Sequence, residues 1–396
     1  MRRLSSSGKD NTGNFIRLEK LAQISANHQK WCIVLMNRFI SGGRTMRITL
    51  KDVAKEAGTS VAAASATLSG KPTGNMRISE ATRQRVIEAA ARLGYVPNPI
   101  ARSLTTGRTG VLGLVFPYVD AFVDRNPFCS MLMNGVFTEA IQDSYNMMLY
   151  TVRDGFWAGK HKIDPRVDGL VLALPASDEP LLLRCRESNF PCVAIVCAPQ
   201  PDPIMTVNAD DYQGGILATK HLLELGHKRI MMLHGGDLVS TNLPRLEGYR
   251  RAMQESGVQI TPDLVVRAGF DWRPGFEAMT AVLDRPQAEW PTAIFAVNDL
   301  CAAGAIRAIK AKGLSVPEDF AIVGFDDTWF STTTQPMLTS VRMPIKEMGA
   351  LATRMLASEV NGKPIEERHP VLPVSLTIRN SCGASTQVPT LEFPES

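Results

Sequence analysis

No apolar run in these 396 residues approaches the ~20 that a membrane-spanning helix needs. The longest near the N-terminus, Cys32 to Met36 with Phe39 and Ile40 beyond it, also lacks a small-residue cleavage site. Neither an anchor nor a secretion signal is supported, and a cytoplasmic chain without membrane contact is expected. The seven cysteines contain no Cys-x-x-Cys pair, so reduced thiols are expected rather than a disulfide framework or a zinc site. The chain also has no HExxH, no GxSxG, no phosphate-binding loop ending in Gly-Lys-Ser/Thr, and no GxGxxG after an apolar strand. An enzyme is therefore disfavoured, although His234 near Asp237 sits at the end of an apolar run; a lone histidine there is more often structural or a hydrogen-bonder. No metal and no cofactor are expected.

Charge, in contrast, is unevenly placed. Residues 46–110 carry 10 Lys and Arg against 4 Asp and Glu, residues 1–45 carry 8 against 2, and the rest carries 25 against 33. A basic N-terminal part on a mildly acidic body suits a module that grips a polyanion. Within it, Thr49 can cap a helix whose apolar positions Leu50, Val53, Ala54 and Ala57 follow the helical period, with Asp52 near its positive end and Gly58 as its stop. Ser60 then caps a second helix after a short turn, the helix-turn-helix arrangement. A third helix is expected from Ser79 to Gly94, burying Val86, Ile87, Ala90 and Leu93. Asn98 as cap and Pro99 at the first helical position predict a brief fourth helix to Leu104.

From Val111 the pattern turns to short apolar runs separated by helical stretches. VLGLVF, MMLYTV, DGLVLAL, CVAIVC, RIMML, TAIFAV and FAIVGF read as parallel strands covered on both faces. Ligands in such sheets settle at the carboxyl ends of strands, where this chain has Pro117, Asn298, Asp299, Asp326 and Asp327. The fold class is α/β with a small all-α N-terminal domain. A polyol pocket needs paired donors and acceptors and an apolar face, and Arg245, Asn298 and Asp326 with Phe128, Trp272 or Trp329 supply those types. Asp210 reads better as a helix cap than as a pocket residue.

The segment RITLKDVAKEAGTSVAAASATLSG with NPIARSL, and downstream NPF, NADDYQGG, LELGHKRI, RLEGYRRAM, FAVNDLCAAGAIRAI, VGFDDTWF and SLTIRNSCG, resembles the LacI family of bacterial transcription regulators from Arg47 to about Cys382. The resemblance implies a helix-turn-helix headpiece (46–96), a hinge helix and linker (97–110) and a type I periplasmic-binding-protein-like effector domain (111–383). That domain would divide into an N-subdomain (111–209 and 342–372) and a C-subdomain (210–341 and 373–383), followed by a tail (384–396). Residues 1–45 are expected to lie outside the functional protein, which would start near Met46. The implied partners are double-stranded operator DNA, a small-molecule effector, most plausibly a sugar, and a second copy of the chain. The function would be a ligand-responsive regulator of carbohydrate genes, more a repressor than an activator; a solute-binding module without DNA activity would show an export signal and no headpiece.

By the same resemblance, the DNA-contacting set is Thr49, Ser60, Val61, Ala62, Ser65, Ala66, Asn98, Ala101, Arg102 and Leu104, with Leu104 as a minor-groove wedge. The effector set is Phe128, Arg245, Trp272, Asn298, Asp326 and Trp329; the spacing around Trp272 departs from the family, so packing competes with ligand contact there. Two further departures stand out. The recognition helix reads AASATLS where the family commonly has TVSRVLN, so the outward face, read as Val61, Ala62, Ser65 and Ala66 with Ala64 and Leu68 inward, offers small contacts only. The crossover after MMLYTV is short, leaving open whether 153–166 forms a helix or Trp157 covers the sheet. A single headpiece reads one half-site and so short a hinge helix is marginal alone, which implies a homodimer; the small residues of Leu300 to Lys312 resemble the family's dimer surface. No C-terminal heptad extension supports a tetramer.

Overall fold

The structure is a computed structural model that describes residues 48–69, 78–96, 103, 107–116, 126–151, 163–176, 179–236 and 242–384. The chain divides into two compact units, Met1–Asn98 and Pro99–Ser396. In the first, α1 (Leu50–Glu56) starts where the Thr49 backbone N–H and hydroxyl both donate to the Asp52 carboxylate, at 2.8 and 2.7 Å. Helix α2 (Val61–Ser69) is capped by Ser60, whose hydroxyl accepts from the Ala63 N–H. Helix α3 (Glu80–Leu93) runs from the Ser79 cap to Gly94, which takes the left-handed conformation that lets the chain leave the helix. Val53, Ala54, Ala57, Ala64, Val86, Ala89 and Ala90 form their shared core.

Two expectations fail here. The inward stripe of α3 is Val86, Ala89, Ala90 and Leu93, spaced i, i+3, i+4, i+7, and this turns Ile87, 46% exposed, toward solvent. On α2, Ala66 is buried rather than outward, along with Ala63 and Thr67. At 100° per residue the covered arc runs from Ala66 round to Leu68, about 200° wide, and among the side chains described Val61, Ala62 and Ser65 form the open strip.

The second unit holds two six-stranded sheets. The first has the order β11-β5-β4-β3-β1-β2 and is wholly parallel; the second has the order β12-β10-β9-β8-β6-β7 and is parallel except for β12. The seven apolar runs became β1 (Val111–Phe116), β2 (Asn146–Thr151), β3 (Gly169–Ala173), β4 (Cys192–Ile195), β6 (Ile230–His234), β8 (Ala293–Ala296) and β9 (Ala321–Asp326). Not foreseen were β5 (Met205–Ala209), β7 (Val265–Arg267), β10 (Thr339–Arg342), β11 (Val371–Leu372) and β12 (Ser375–Thr377). They are short, and β5 and β10 carry hydroxyls that hydrogen-bond inward, Thr206 to His369 and Ser340 to Asp299, so hydropathy conceals them.

The chain passes between the sheets three times: from β5 into α6 (Asp211–Glu224), from β10 into α10 (Ile345–Val360), and from β11 to β12. Helix α10 lies on β3, β4 and β5 and beside α4 (Pro127–Gln142). The pair is so close that a Cβ on Gly135 would overlap the Lys346 carbonyl oxygen. Helices α8 (Trp272–Leu283) and α9 (Asp299–Ala311) meet in the same way, since a Cβ on Gly304 would overlap the Trp272 carbonyl. Gly304 of α9 is therefore used inside the chain, while Leu300 and Ala303 stay partly exposed and Arg307, Lys310 and Ala311 are exposed. Residues 163–168 form no helix; 152–162, with Trp157, lie outside the described residues.

Candidate functional site

Three helix starts and the ends of two strands of the second sheet converge. Asp210 caps α6 by accepting from the Gln213 N–H, as expected, which leaves Asp211 at the first helical position, 6% exposed. Helix α7 (Asn242–Glu255) carries Arg245 in its first turn, 3% exposed. Beyond β8, Asn298 caps α9 through the Cys301 N–H and donates from Nδ2 to the Phe270 carbonyl. Beside it, β9 ends in Asp326 and Asp327, whose φ angles are +97° and +48°. Two successive non-glycine residues in the left-handed region store strain, a condition concentrated at ligand sites.

Arg245 organises the cluster. Its Nε donates to Asp211 at 2.8 Å, its Nη1 to the Val297 carbonyl at 2.6 Å, and its Nη2 faces Asp326 Oδ1 at 3.5 Å. The guanidinium lies over the Phe325 ring, 3.6 Å from its centroid, and Nη2 also meets the Met343 sulfur. Of the four nearby carboxylates, three hold partners within 3.0 Å. Asp299 accepts from the Thr328 N–H and hydroxyl and from Ser340; Asp327 takes Ser331, Thr377 and Arg379; Asp211 holds Arg245. Among the described residues the Asp326 carboxylate has only the long contact to Nη2, so its oxygens keep acceptor capacity toward them.

Burial shapes the ionisation here. It pushes Asp326 well above the ordinary carboxylate range against the pull of Arg245, with Asp299 and Asp211 adding repulsion. It also raises Asp211, and lifts Asp299 to about 7 despite the three donors around that group. Cys129, in the first turn of α4 from the other sheet, is raised to about 12 by burial and then by the charge of Asp326. The start of α4 also buries Phe128.

Arg245, Asp326 and Asn298 are thus gathered, with Asn298 already engaged in capping and bracing, while Phe128 is buried at the start of α4. Trp272 is not: its ring contacts are Arg307 and Arg273, on the α8/α9 flank. Trp329 is 56% exposed in the 3-10 turn after β9, edge-on to Phe330. His234 accepts from the Gly236 N–H and meets Asn242, a bracing role; Asp237 lies outside the described residues. Sequence reasoning missed Asp211, Phe325 and Met343. An aspartate at a helix start reads as a dipole partner, and only the α6/α7 contact reveals its grip on Arg245. In the first unit Thr49 and Ser60 serve as caps, Val61, Ala62 and Ser65 are exposed, and Asn98, Ala101, Arg102 and Leu104 lie outside the described residues.

One contact set leads out of the cluster. The Met343 N–H donates to the Asp326 carbonyl just before α10, and at the far end of that helix Arg108 donates to the Val360 carbonyl and to Asn361. Next to Arg108, the Thr109 and Gly110 N–H groups and the Thr109 hydroxyl all donate to the Asp168 carboxylate. The linker entering β1 is clamped at both places.

Residues 49–98 match the model of bacterial regulatory proteins of the lacI family, and residues 219–382 match a periplasmic binding protein-like domain. The HTH-type transcriptional regulator DegA of Bacillus subtilis (strain 168) is 34% identical over 346 residues, covering 85% of this chain and 98% of the relative. Among solved structures, a transcriptional regulator CelR–cellobiose complex is similar with a TM-score of 0.63 and 32% identity, covering 85% of this chain and 100% of that one. The lac repressor dimer bound to operator and the anti-inducer ONPF is similar with a TM-score of 0.73 and 27% identity, covering 85% and 99%. Among the described residues no helix is long and apolar enough to cross a membrane.

Proposed function

Because the chain belongs to the LacI family of bacterial regulatory proteins, whose named relatives are transcriptional regulators and not enzymes, we propose that it is a cytoplasmic, dimeric, sequence-specific DNA-binding regulator. Its operator affinity is set by a sugar or sugar derivative held at the strand ends around Arg245 and Asp326, and its most natural role is repression of carbohydrate genes. Residues 46–96 bind the operator with 97–110 as hinge, and 111–383 form the effector domain. Thr49, Ser60, Val61, Ala62 and Ser65 face the outer half-sites, while Asn98, Ala101, Arg102 and the Leu104 wedge act at the centre. The relatives' cellobiose and operator complexes support this reading.

The observation that carries it is helix α10. Its sixteen residues span about 24 Å, with Asp326 and Arg245 touching Met343 at one end and Arg108 of the linker fixed at the other. A hydroxyl donating to Asp326 and accepting from Nη2 would shift the Met343 contacts, and a helix packed on glycine against α4 passes that shift on as a rigid body. Effector and operator affinities must then be coupled reciprocally: a ligand that weakens operator binding tenfold binds the operator complex tenfold more weakly.

Selection of binding sites from a randomised DNA pool by the full chain is expected to return a two-fold symmetric site with few guanine requirements in its outer halves, given the small contacts of Val61 and Ala62. Operator titrations with and without a sugar that binds should then show the coupling. Arg108→Ala is expected to bring the coupling factor close to one while the sugar affinity of the free protein stays within about twofold. Recovery of no common site would overturn DNA recognition, and unchanged coupling in Arg108→Ala would overturn the α10 route.

A further inference from the structure

The charge balance around Arg245 bears on which ligands the site admits. Asp327 is neutralised by Arg379 at 2.7 Å. What remains among the described residues is one guanidinium facing Asp211 and Asp326, with Asp299 behind them held only by neutral donors. All four groups are more than nine-tenths buried. Arg245, the cation a phosphate or carboxylate would seek, has its Nε bound to Asp211, one Nη1 N–H on the Val297 carbonyl and one face on Phe325. Only its Nη2 side is left for a ligand, and that side is shared with Asp326.

We propose that this site is built for an uncharged, hydroxyl-bearing ligand and rejects the phosphorylated or carboxylated counterpart of the same sugar. The inference rests on the reading above that Arg245 and Asp326 face the effector. A pair of adjacent hydroxyls fits the arrangement without residue: one donates to the unsaturated Asp326 carboxylate, the other accepts from Nη2. An anionic group at the same spot meets Asp326 within contact distance and Asp299 and Asp211 just beyond, in a place where water screens little. Rejection here needs no steric clash, because an unpaired like charge supplies it.

The test uses matched ligands on the full chain: glucose, glucose 6-phosphate and glucuronate; galactose and galactose 6-phosphate; ribose and ribose 5-phosphate; and inorganic phosphate alone. Binding is read by calorimetry and by thermal shift. For the series that binds, the neutral member is expected to bind at least about a hundredfold more tightly than its anionic partners. Asp326→Asn, which keeps the size and removes the charge, is expected to narrow that gap at least tenfold. Inorganic phosphate is expected to leave the wild type unshifted and to stabilise Asp211→Asn/Asp326→Asn, where the guanidinium is stripped of both partners. An anionic sugar that binds the wild type as tightly as its neutral partner, or saturable stabilisation of the wild type by phosphate, with either response lost in Arg245→Ala, would overturn the charge rule and leave the site in place. Binding of any series that is unchanged in Arg245→Ala would put the ligand elsewhere and overturn the underlying reading with it.

Discussion

Replacing Arg245 with alanine is expected to lower the unfolding free energy by about 3–5 kcal/mol, because Asp211 and Asp326 would remain in the interior without their cation. Cavity formation over Phe325 adds to this, since the guanidinium covers that ring. Urea unfolding monitored by circular dichroism gives the number. A loss below about 1 kcal/mol would mean that water reaches both carboxylates, contrary to their burial. Arg245→Lys is expected to recover part of the stability but not the ligand response, because an ammonium cannot serve Asp211, Val297 and a ligand with the fixed fork that Arg245 uses. Operator titration in the presence of a sugar that binds the wild type reads that second effect.

A methyl group on Gly135 is expected to cost at least the 1–3 kcal/mol typical of overpacking. Its Cβ would overlap the Lys346 carbonyl oxygen and press on the carbonyl carbon, all backbone atoms that cannot swing aside, so α4 and α10 must separate. Gly58→Ala is the informative control. There the added Cβ meets nothing within 4 Å and the cost comes only from φ of +61°, so a loss of about 1 kcal/mol is expected. Thermal unfolding of the two variants side by side checks the contrast. Equal losses would show that the helix contact yields easily and that α10 is a poor strut.

Much of the fold was legible because its signals are local. Caps at Thr49, Ser60 and Ser79, stops at Gly58 and Gly94, and seven apolar runs each depend on neighbours a few residues away. The helix and strand types followed from them. What escaped depends on partners far along the chain. Strands β5 and β10 are polar because Thr206 answers His369 and Ser340 answers Asp299, and no period reveals that. Arg245 and Asp326 were singled out by residue type together with the family resemblance; Asp211 was not, since its grip on Arg245 exists only through the contact between α6 and α7. Trp272 was left between packing and ligand contact. A residue of the right chemistry in the right segment points its ring at Arg307, because α8 must turn its glycine face to α9. Ala66 failed for a geometric reason: on a helix of alanines the covered arc is set by how closely its neighbours approach.

The threefold passage between sheets also governs how the chain can mature on the ribosome. The first sheet holds its five strands β1 to β5 by Ala209, yet its edge strand β11 and its covering helix α10 are encoded beyond residue 344, after nearly all of the second sheet. At 5–20 residues per second, roughly 8–30 s separate the synthesis of β5 from that of β11. Through that interval Val171, Val193 and Ile195 wait for Met348, Ala352 and Leu356 to cover them. A nascent chain of this design carries part of one apolar sheet face without its α10 cover for longer than most small domains take to fold, so its yield in the cell rests on what shields that face until translation ends.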